Sequence, residues 1–249
     1  MLIGAGFLDG SEQAAVWIGA LTLDYLGPLL GRGRGWRVSP AHFAERHGLV
    51  VIIALGESVV AIGIGAAGLA LGLKVIAAAV LGIAVVAALW WAYFDIFAVY
   101  AQRHLSEARG AARATLARDY YSYLHLPLIA GVVLFALGLK KALEHVGDPL
   151  ELVPAVALSG GLGLYFLSHV AFRFRLARSF GRGRPVTAIV LFALIPLVPE
   201  VPALAALAVV AAICGALIVY DLVHYRDERR HVRDGRWDPS RIPGPASPR

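Results

Sequence analysis

The sequence has few charged residues and a single cysteine, Cys214. Charged residues occupy 16% of the 249 positions, against about a quarter in a soluble domain, and hydrophobic residues occupy 59%. Because Cys214 stands alone inside an apolar run, the chain cannot build a disulfide framework. The opening residues lack the positive region and the small-residue cleavage site of a signal peptide, so no removable leader is predicted. The composition therefore favours a membrane protein.

Signatures of catalysis are missing as well. The sequence contains no HExxH motif, no glycine-rich phosphate loop after a strand, and no serine with a histidine and an aspartate nearby. His42 and Glu45 stand one helical turn apart, but two ligands are a weak case for a metal. Their order also differs from the Glu-x-x-His of di-iron bundles. We therefore predict no catalytic residue, no metal site and no cofactor.

The positive charge is distributed in a pattern typical of membrane topology. The net charge is +6, yet the basic residues occupy short gaps between apolar runs, which argues against a nucleic-acid partner. If the N-terminus is outside and the chain crosses seven times, all the arginines fall on one side. The lysines, which are Lys74, Lys140 and Lys141, fall on the other side. The arginine-rich side is predicted to be cytoplasmic.

Seven apolar runs approach the roughly twenty residues that a spanning helix needs. They cover 13–31, 47–67, 73–100, 119–139, 152–172, 186–200 and 203–225. The sixth run is short and contains Pro196, so it is either a re-entrant piece or a kinked span. The basic clusters on both sides of 186–225 favour a helical hairpin with PEVP as its outer turn. The predicted fold is an all-α polytopic bundle of about seven transmembrane helices, N-outside and C-cytoplasmic.

The organisation outside these runs is simple. Residues 1–225 form the predicted transmembrane domain. Residues 226–249 form a basic, proline- and glycine-rich cytoplasmic tail that is predicted to be disordered. Segment 101–118 is predicted to be an amphipathic interfacial helix or a cytoplasmic extension.

Glu57 raises the main question about function, because it interrupts an apolar run. It lies eleven residues after Arg46, or about 16 Å along a helix, which is close to mid-bilayer. A charge at that depth costs at least a few kcal/mol, so we expect Glu57 to face other helices or water. Its helical neighbours Ala54, Ala61 and Gly65 are small, which allows a partner helix to come close.

Other polar residues fall between mid-membrane and the arginine-rich side. Glu57, Asp95 and His125 are predicted to converge in one polar pocket open to the cytosol, with Tyr121 and Ser58 beside them. Such groups can relay protons or bind a cation, or they can pair only to fix helix register. The remaining candidates are Asp24, His169 and Asp221 near the interface, and His42, Glu45 and Arg46 at the cytoplasmic entrance.

Four stretches resemble the bacterial low temperature requirement A family over about residues 40–225. They are HFAERHGLVVIIALGESVVAIG, WWAYFD, YLHLPLIAGVVLFALGL and LSHVAFR. The resemblance implies a multi-pass protein of the bacterial inner membrane, linked by name to growth in the cold, with no established activity. The family's acidic–aromatic motif of an early helix is absent, so the chain is expected to lack several leading helices. The family motif residues here are His42, Glu45, Arg46, Gly56, Glu57, Asp95, His125 and His169.

Three functions stay open from the sequence. The first is a proton-linked transporter of a small solute or ion, using the polar pocket. The second is a membrane redox or cofactor-binding protein with His125 and His169 as axial ligands. The third is a structural or accessory module, a truncated family member completed by a homo-oligomer or by a partner membrane protein. The lipid bilayer is a partner in all three.

Overall fold

The computed structural model describes residues 6–30, 39–226 and 229–230, which are almost entirely helical and include no strand. Between the helices, π-helical turns cover Ala117–Tyr123 and Val156–Gly160, and a 3-10 helix covers Ile195–Glu200. The helices are α1 Gly10–Leu30, α2 Pro40–Ala66, α3 Leu73–Phe94, α4 Phe97–Glu107, α5 Gly110–Leu116, α6 His125–Glu144, α7 Leu152–Ala155, α8 Gly161–Ala177, α9 Gly183–Leu194 and α10 Ala203–His224.

Six helical segments of the described residues are long and apolar enough to cross a membrane. They are Pro40–Ala66, Leu73–Glu107, Gly110–Glu144, Leu152–Leu176, Gly183–Glu200 and Ala203–His224. The structure thus has the predicted all-α, membrane-type architecture. The predicted count of seven differs at α1, which is helical but is not among the six, because Glu12, Gln13 and Asp24 lower its apolar character.

The spanning helices pack in a closed order that differs from their order in the chain. α2 packs against α6, α6 against α8, α8 against α9, α9 against α10, α10 against α3, and α3 against α2. The span that contains α8 is the most enclosed, because 78% of its most apolar stretch is buried inside the bundle. The interior between α3, α6 and α8 is filled by large aromatic side chains, among them Tyr93, Phe135 and Tyr165.

Glycines set the closest approach between α6 and α8. A Cβ atom on Gly131 would lie 2.6 Å from the backbone oxygen of Gly161. A Cβ atom on Gly161 would lie 2.7 Å from the oxygen of Gly131. Side chains at these positions would therefore force the two helices apart, which is the role of small residues at helix contacts in membranes.

The two ends of the bundle differ in their charged residues. At one end, Asp119 forms ion pairs with Arg118 and Arg175, each with an N–O distance of 2.8 Å. At the other end, Lys141 pairs with Glu144 at 2.7 Å. We call these the arginine-rich end and the lysine-bearing end.

Helices α4 and α5 extend the bundle at the arginine-rich end. The continuous segments Leu73–Glu107 and Gly110–Glu144 have 35 residues each. A helix of that length measures about 50 Å, whereas the hydrocarbon core is about 30 Å thick. The segment 101–118, predicted as a helical extension, lies in this part of the structure and is helical on both sides of a break at Ala108 and Arg109.

Residues 186–225 form the predicted hairpin. α9 continues into the 3-10 helix Ile195–Glu200, where Pro196 and Pro199 lack the N–H groups of a regular α-helix. The chain then turns into α10, and the Ala203 amide donates to the Asp148 carbonyl at 2.9 Å, which fixes the turn to the preceding loop. The predicted disorder of 226–249 falls mostly outside the described residues.

Helix α1 contacts the bundle through a tyrosine pair. The Tyr25 hydroxyl donates to the Ser122 carbonyl at 3.0 Å, and the Tyr123 hydroxyl donates to the Tyr25 carbonyl at 2.8 Å. Ser122 and Tyr123 belong to the π-helical turn before α6. Most other described side chains of α1 are exposed, including Asp24.

Candidate functional site

A cavity of about 80 Å³ opens at the arginine-rich end of the bundle. Its walls come from the end of α3, the start of α4, the second half of α8, the loop before α9 with the start of α9, and the end of α10. It reaches the surface beside Phe180 and Arg182, which are exposed. The polar residues that line it are Asp95, His169, Arg173, Arg184, Asp221 and Tyr225, and the aromatic residues are Trp91, Phe97, Tyr100, Phe172 and Phe180.

The two carboxylates of the cavity are each neutralised by an arginine. Arg229 Nε lies 2.7 Å from Asp95 Oδ2, and the Arg229 guanidinium stands over the Trp91 ring, 5.6 Å from its centroid. Arg184 lies 3.6 Å from Asp221 Oδ2 and donates to the Ala92 carbonyl at 3.0 Å. Both carboxylates are largely enclosed, so each ion pair offsets a desolvation cost that a lone charge would carry in full.

Tyr225 borders the cavity beyond the end of α10. Arg173 donates to its hydroxyl oxygen at 3.4 Å, and the Arg173 guanidinium lies 5.9 Å from the ring centroid. Burial raises the pKa of the Tyr225 phenol above its ordinary value. The phenol is therefore neutral at physiological pH and keeps a proton to donate.

Buried polar atoms of His169 and Trp91 in the cavity wall have no hydrogen-bond partner among the described residues. His169 donates from Nδ1 to the Tyr165 carbonyl at 2.9 Å, so Nε2 of the neutral ring is an acceptor. That Nε2 is unpartnered although His169 is fully buried, and Trp91 Nε1, a donor, is unpartnered as well. Buried polar groups nearly always find partners. The cavity wall thus offers one acceptor and one donor that its own side chains leave unused.

His125 belongs to a separate buried cluster. Its Nδ1 donates to the Tyr120 carbonyl at 2.8 Å, and its Nε2 accepts from the Tyr93 hydroxyl at 2.8 Å. Its ring stacks on Tyr121 at 5.1 Å and meets His47 edge-on at the same distance. Tyr121 therefore contacts His125 by ring stacking. Both ring nitrogens of His125 are used, and the residue does not line the cavity.

The predicted convergence of Glu57 with Asp95 and His125 was wrong. Glu57 is exposed on the outer face of α2 and does not line the cavity. The physical reason is helix rotation: the buried face of α2 is centred on Val51, Ser58 and Ile62, and Glu57 lies beyond its edge.

Ser58, the next residue, is buried but donates at 3.5 Å to the Ala54 carbonyl of its own helix. Ser58 is also absent from the lining of the cavity.

The entrance motif lies on the first turns of α2, apart from the cavity lining. His42 Nδ1 is 3.7 Å from Glu45 Oε2, and both side chains are exposed, as is Arg46. Asp24 is exposed on α1. Of the residues predicted near the interface, His169 and Asp221 reach the cavity together with Asp95.

The sequence reasoning missed the arginines of this site. Arg173 and Arg184, which line the cavity, and Arg229, which pairs with Asp95, were interpreted only as topology signals. The available signal was the position of arginines next to span ends, where long side chains reach back into the bundle. Among the described residues there is no group of three or more His, Cys, Asp or Glu side chains placed to hold a metal ion.

Comparisons with known proteins give one family. The family model described as "Bacterial low temperature requirement A protein (LtrA)" matches residues 1–219. The match includes α1, which lies ahead of the segment in which the resemblance was recognised. The chain is also 27% identical over 168 residues to a protein of Rhizobium meliloti (strain 1021) named "Uncharacterized protein RA0937".

That alignment covers 57% of this chain and 37% of the relative, so the chain spans well under half of the relative's length. No solved structure gives a significant match.

Proposed function

Because the chain belongs to the bacterial low temperature requirement A family, a family of membrane-type proteins, we propose that it binds a small polar or charged solute at the arginine-rich end and carries it across the membrane. The observation that carries this proposal is the cavity, in which ionisable side chains from four separate parts of the bundle meet. Intramembrane ionisable groups that face a shared hollow mark solute or proton pathways more often than idle structure.

The proposed binding mode follows from the groups in the wall. Arg184 and Arg229 attract an anionic group of a solute, while Asp95 and Asp221 attract a cationic group. The unpartnered Nε2 of His169 accepts a hydrogen bond from the solute, and the Trp91 indole donates one. A solute that enters replaces an existing ion pair, so the charge of the cavity stays balanced during exchange.

Proton linkage is proposed through the same cavity and not through Glu57. A proton on His169 or on either aspartate changes the net charge of the wall, and so changes the affinity for a charged solute. The His125 cluster lies deeper and has both ring nitrogens occupied. We assign it to packing between α3 and α6.

We further propose seven spans with the arginine-rich end in the cytoplasm of a bacterial inner membrane. α1 has 21 residues and would measure about 31 Å, enough for a span. The separation of arginines and lysines at opposite ends supports this orientation by the positive-inside rule.

The cofactor hypothesis has weaker support from the geometry. Axial ligation by His125 and His169 requires a free ring nitrogen on each histidine, both facing one space. Tyr93 occupies Nε2 of His125 and its ring stands beside both histidines, with centroid distances of 5.7 and 6.4 Å. The accessory-module hypothesis remains as an outcome of the transport test.

Proteoliposomes test the proposal directly. Purified protein is reconstituted with a pH-sensitive dye inside, and monocarboxylates, amines and amino acids are added one at a time. We expect one class to drive solute uptake with proton movement. His169→Gln and Asp221→Asn should each weaken it about tenfold or more, since a buried hydrogen bond to a charged group is lost.

His42→Gln is the matched control, because His42 is exposed and apart from the cavity. The His169→Gln and His42→Gln variants should keep the thermal melting profile, whereas Asp221→Asn breaks the enclosed pair with Arg184, so its uptake is compared at equal amounts of folded protein. Absence of uptake for every class, or equal uptake in the His169 and His42 variants, would reject the cavity as the transport site and favour an accessory role.

A further inference from the structure

The outer face of α2 carries an unpaired carboxyl group at mid-span. Glu57 is exposed and makes no hydrogen bond or ion pair with any described residue. The side chains around it are apolar and exposed as well, with Ile53 at 71%, Val60 at 53% and Ile64 at 51%. In a single copy of the chain, this carboxyl group would face lipid.

Lipid contact at this position is unfavourable. Glu57 lies about 16 Å from the first arginine of its helix, too far for Arg46 to reach it. A carboxylate at the bilayer centre costs at least a few kcal/mol, and such groups nearly always face protein or water. The face around Glu57 therefore needs a protein neighbour.

The shape of this face suits close contact with another helix. Gly56 and Gly63 lie two turns apart on the same side of α2 as Val60. A Cβ atom built on either glycine would meet nothing within 4 Å. A second backbone can approach this strip closely, as at other small-residue contacts between membrane helices.

We propose that this face, defined by Ile53, Gly56, Glu57, Val60, Gly63 and Ile64, is the interface of a homodimer in the membrane. A two-fold axis along the membrane normal keeps both copies at the same depth, and residues next to the axis meet their own equivalents. We place the axis beside Glu57, so that it meets Glu57 of the second copy. Two protonated carboxyl groups that meet there pair through O–H···O hydrogen bonds, because each is both a donor and an acceptor.

The charges of this chain favour a second Glu57, and not a lysine or an arginine, as the partner of Glu57. The arginines and lysines of the described spans lie near the helix ends, so none of these spans presents a cation at the depth of Glu57. A hydrogen-bonded pair of acids requires no cation and leaves no unpaired charge in the interface. Polar side chains of this kind strengthen contacts between membrane helices.

Cysteine cross-linking in native membranes tests the interface. In a Cys214→Ala background, Val60→Cys should give a covalent dimer on oxidation. Ile83→Cys on α3, which is 52% exposed, should not. A cross-linked product with a different protein, or no product at Val60→Cys, would overturn the proposal.

Association in liposomes separates the role of the carboxyl group from that of helix shape. Subunit counting by photobleaching should give dimers for the wild type and for Glu57→Gln, whose amide keeps the hydrogen bonds. Glu57→Leu should weaken association about threefold to tenfold, and Gly63→Leu should weaken it further by keeping the helices apart. A monomeric wild type, or unchanged dimers in both leucine variants, would contradict the proposed interface.

Discussion

The cavity at the arginine-rich end and the outer face of α2 both contain carboxyl groups on spanning helices. The carboxyl groups differ in whether an arginine pairs with them. Asp95 and Asp221 each have an arginine within 3.6 Å, whereas Glu57 has none. The difference follows from depth, because arginine side chains reach back into the bundle only a few turns from its end. Carboxylates near that end are neutralised within the chain, and a carboxylate at mid-span needs a neighbour from another molecule.

The largest expected effect comes from breaking the enclosed ion pair. Arg184→Gln leaves Asp221 without its partner in a site where both side chains are mostly enclosed. The loss should lower the free energy of unfolding by about 3 kcal/mol, measured by thermal unfolding in detergent. Arg184→Gln combined with Asp221→Asn should recover most of it, and Arg182→Gln, which removes an exposed arginine, should change little. Equal losses in the Arg184 and Arg182 variants would contradict the pairing.

A smaller effect is expected inside the bundle, away from charge. Tyr93→Phe removes the hydroxyl that donates to His125 and leaves a buried acceptor unpaired. The free energy of unfolding should fall by about 1–2 kcal/mol, while solute uptake should keep its wild-type rate. Loss of uptake in a stably folded Tyr93→Phe protein would return the His125 cluster to the transport pathway.

The ion pair between Arg229 and Asp95 should matter less. The Asp95 side chain is 20% exposed, against 9% for Asp221, so the carboxylate left by Arg229→Ala is better hydrated and the change should cost only about 1 kcal/mol of stability. The same change uncovers Trp91, so quenching of its fluorescence by iodide should increase relative to Arg230→Ala, the matched exposed neighbour. Identical quenching in the two variants would show that Arg229 does not cover the cavity wall.

The smallest effect on a single chain is expected at Glu57. Glu57→Leu should change the free energy of unfolding of the detergent-solubilised monomer by less than about 0.5 kcal/mol, because no described residue contacts the carboxyl group. A large loss of monomer stability would mean that Glu57 has a partner within the chain, and the contrast with the cavity would then disappear.

Sequence reasoning worked where periodicity and charge carry the information. Long apolar runs bounded by arginines predicted an all-α membrane-type bundle, and the proline-containing run predicted the hairpin that ends at residue 225. The predicted count of seven spans differs from the six found at α1, because Glu12 and Asp24 reduce the apolar character that defines a span.

Helix rotation and side-chain reach explain what sequence reasoning missed. Depth along the membrane follows from residue number, so Asp95, His169 and Asp221 were correctly placed near one end. The direction of Glu57 depends on which face of α2 meets α6, a tertiary property. A few tens of degrees of rotation separate a buried residue from an exposed one. The arginines of the cavity were missed because their long side chains act far from their own backbone position.

The most direct test of the contrast is the reaction of single cysteines with a membrane-impermeant thiol reagent, applied to the arginine-rich side of sealed vesicles. In a Cys214→Ala background, Asp95→Cys should be labelled, because the cavity connects it to water on that side. Glu57→Cys should stay unlabelled, because helix contacts or lipid surround it at mid-span. Labelling of Glu57→Cys, or failure to label Asp95→Cys, would contradict the separation of the two sites.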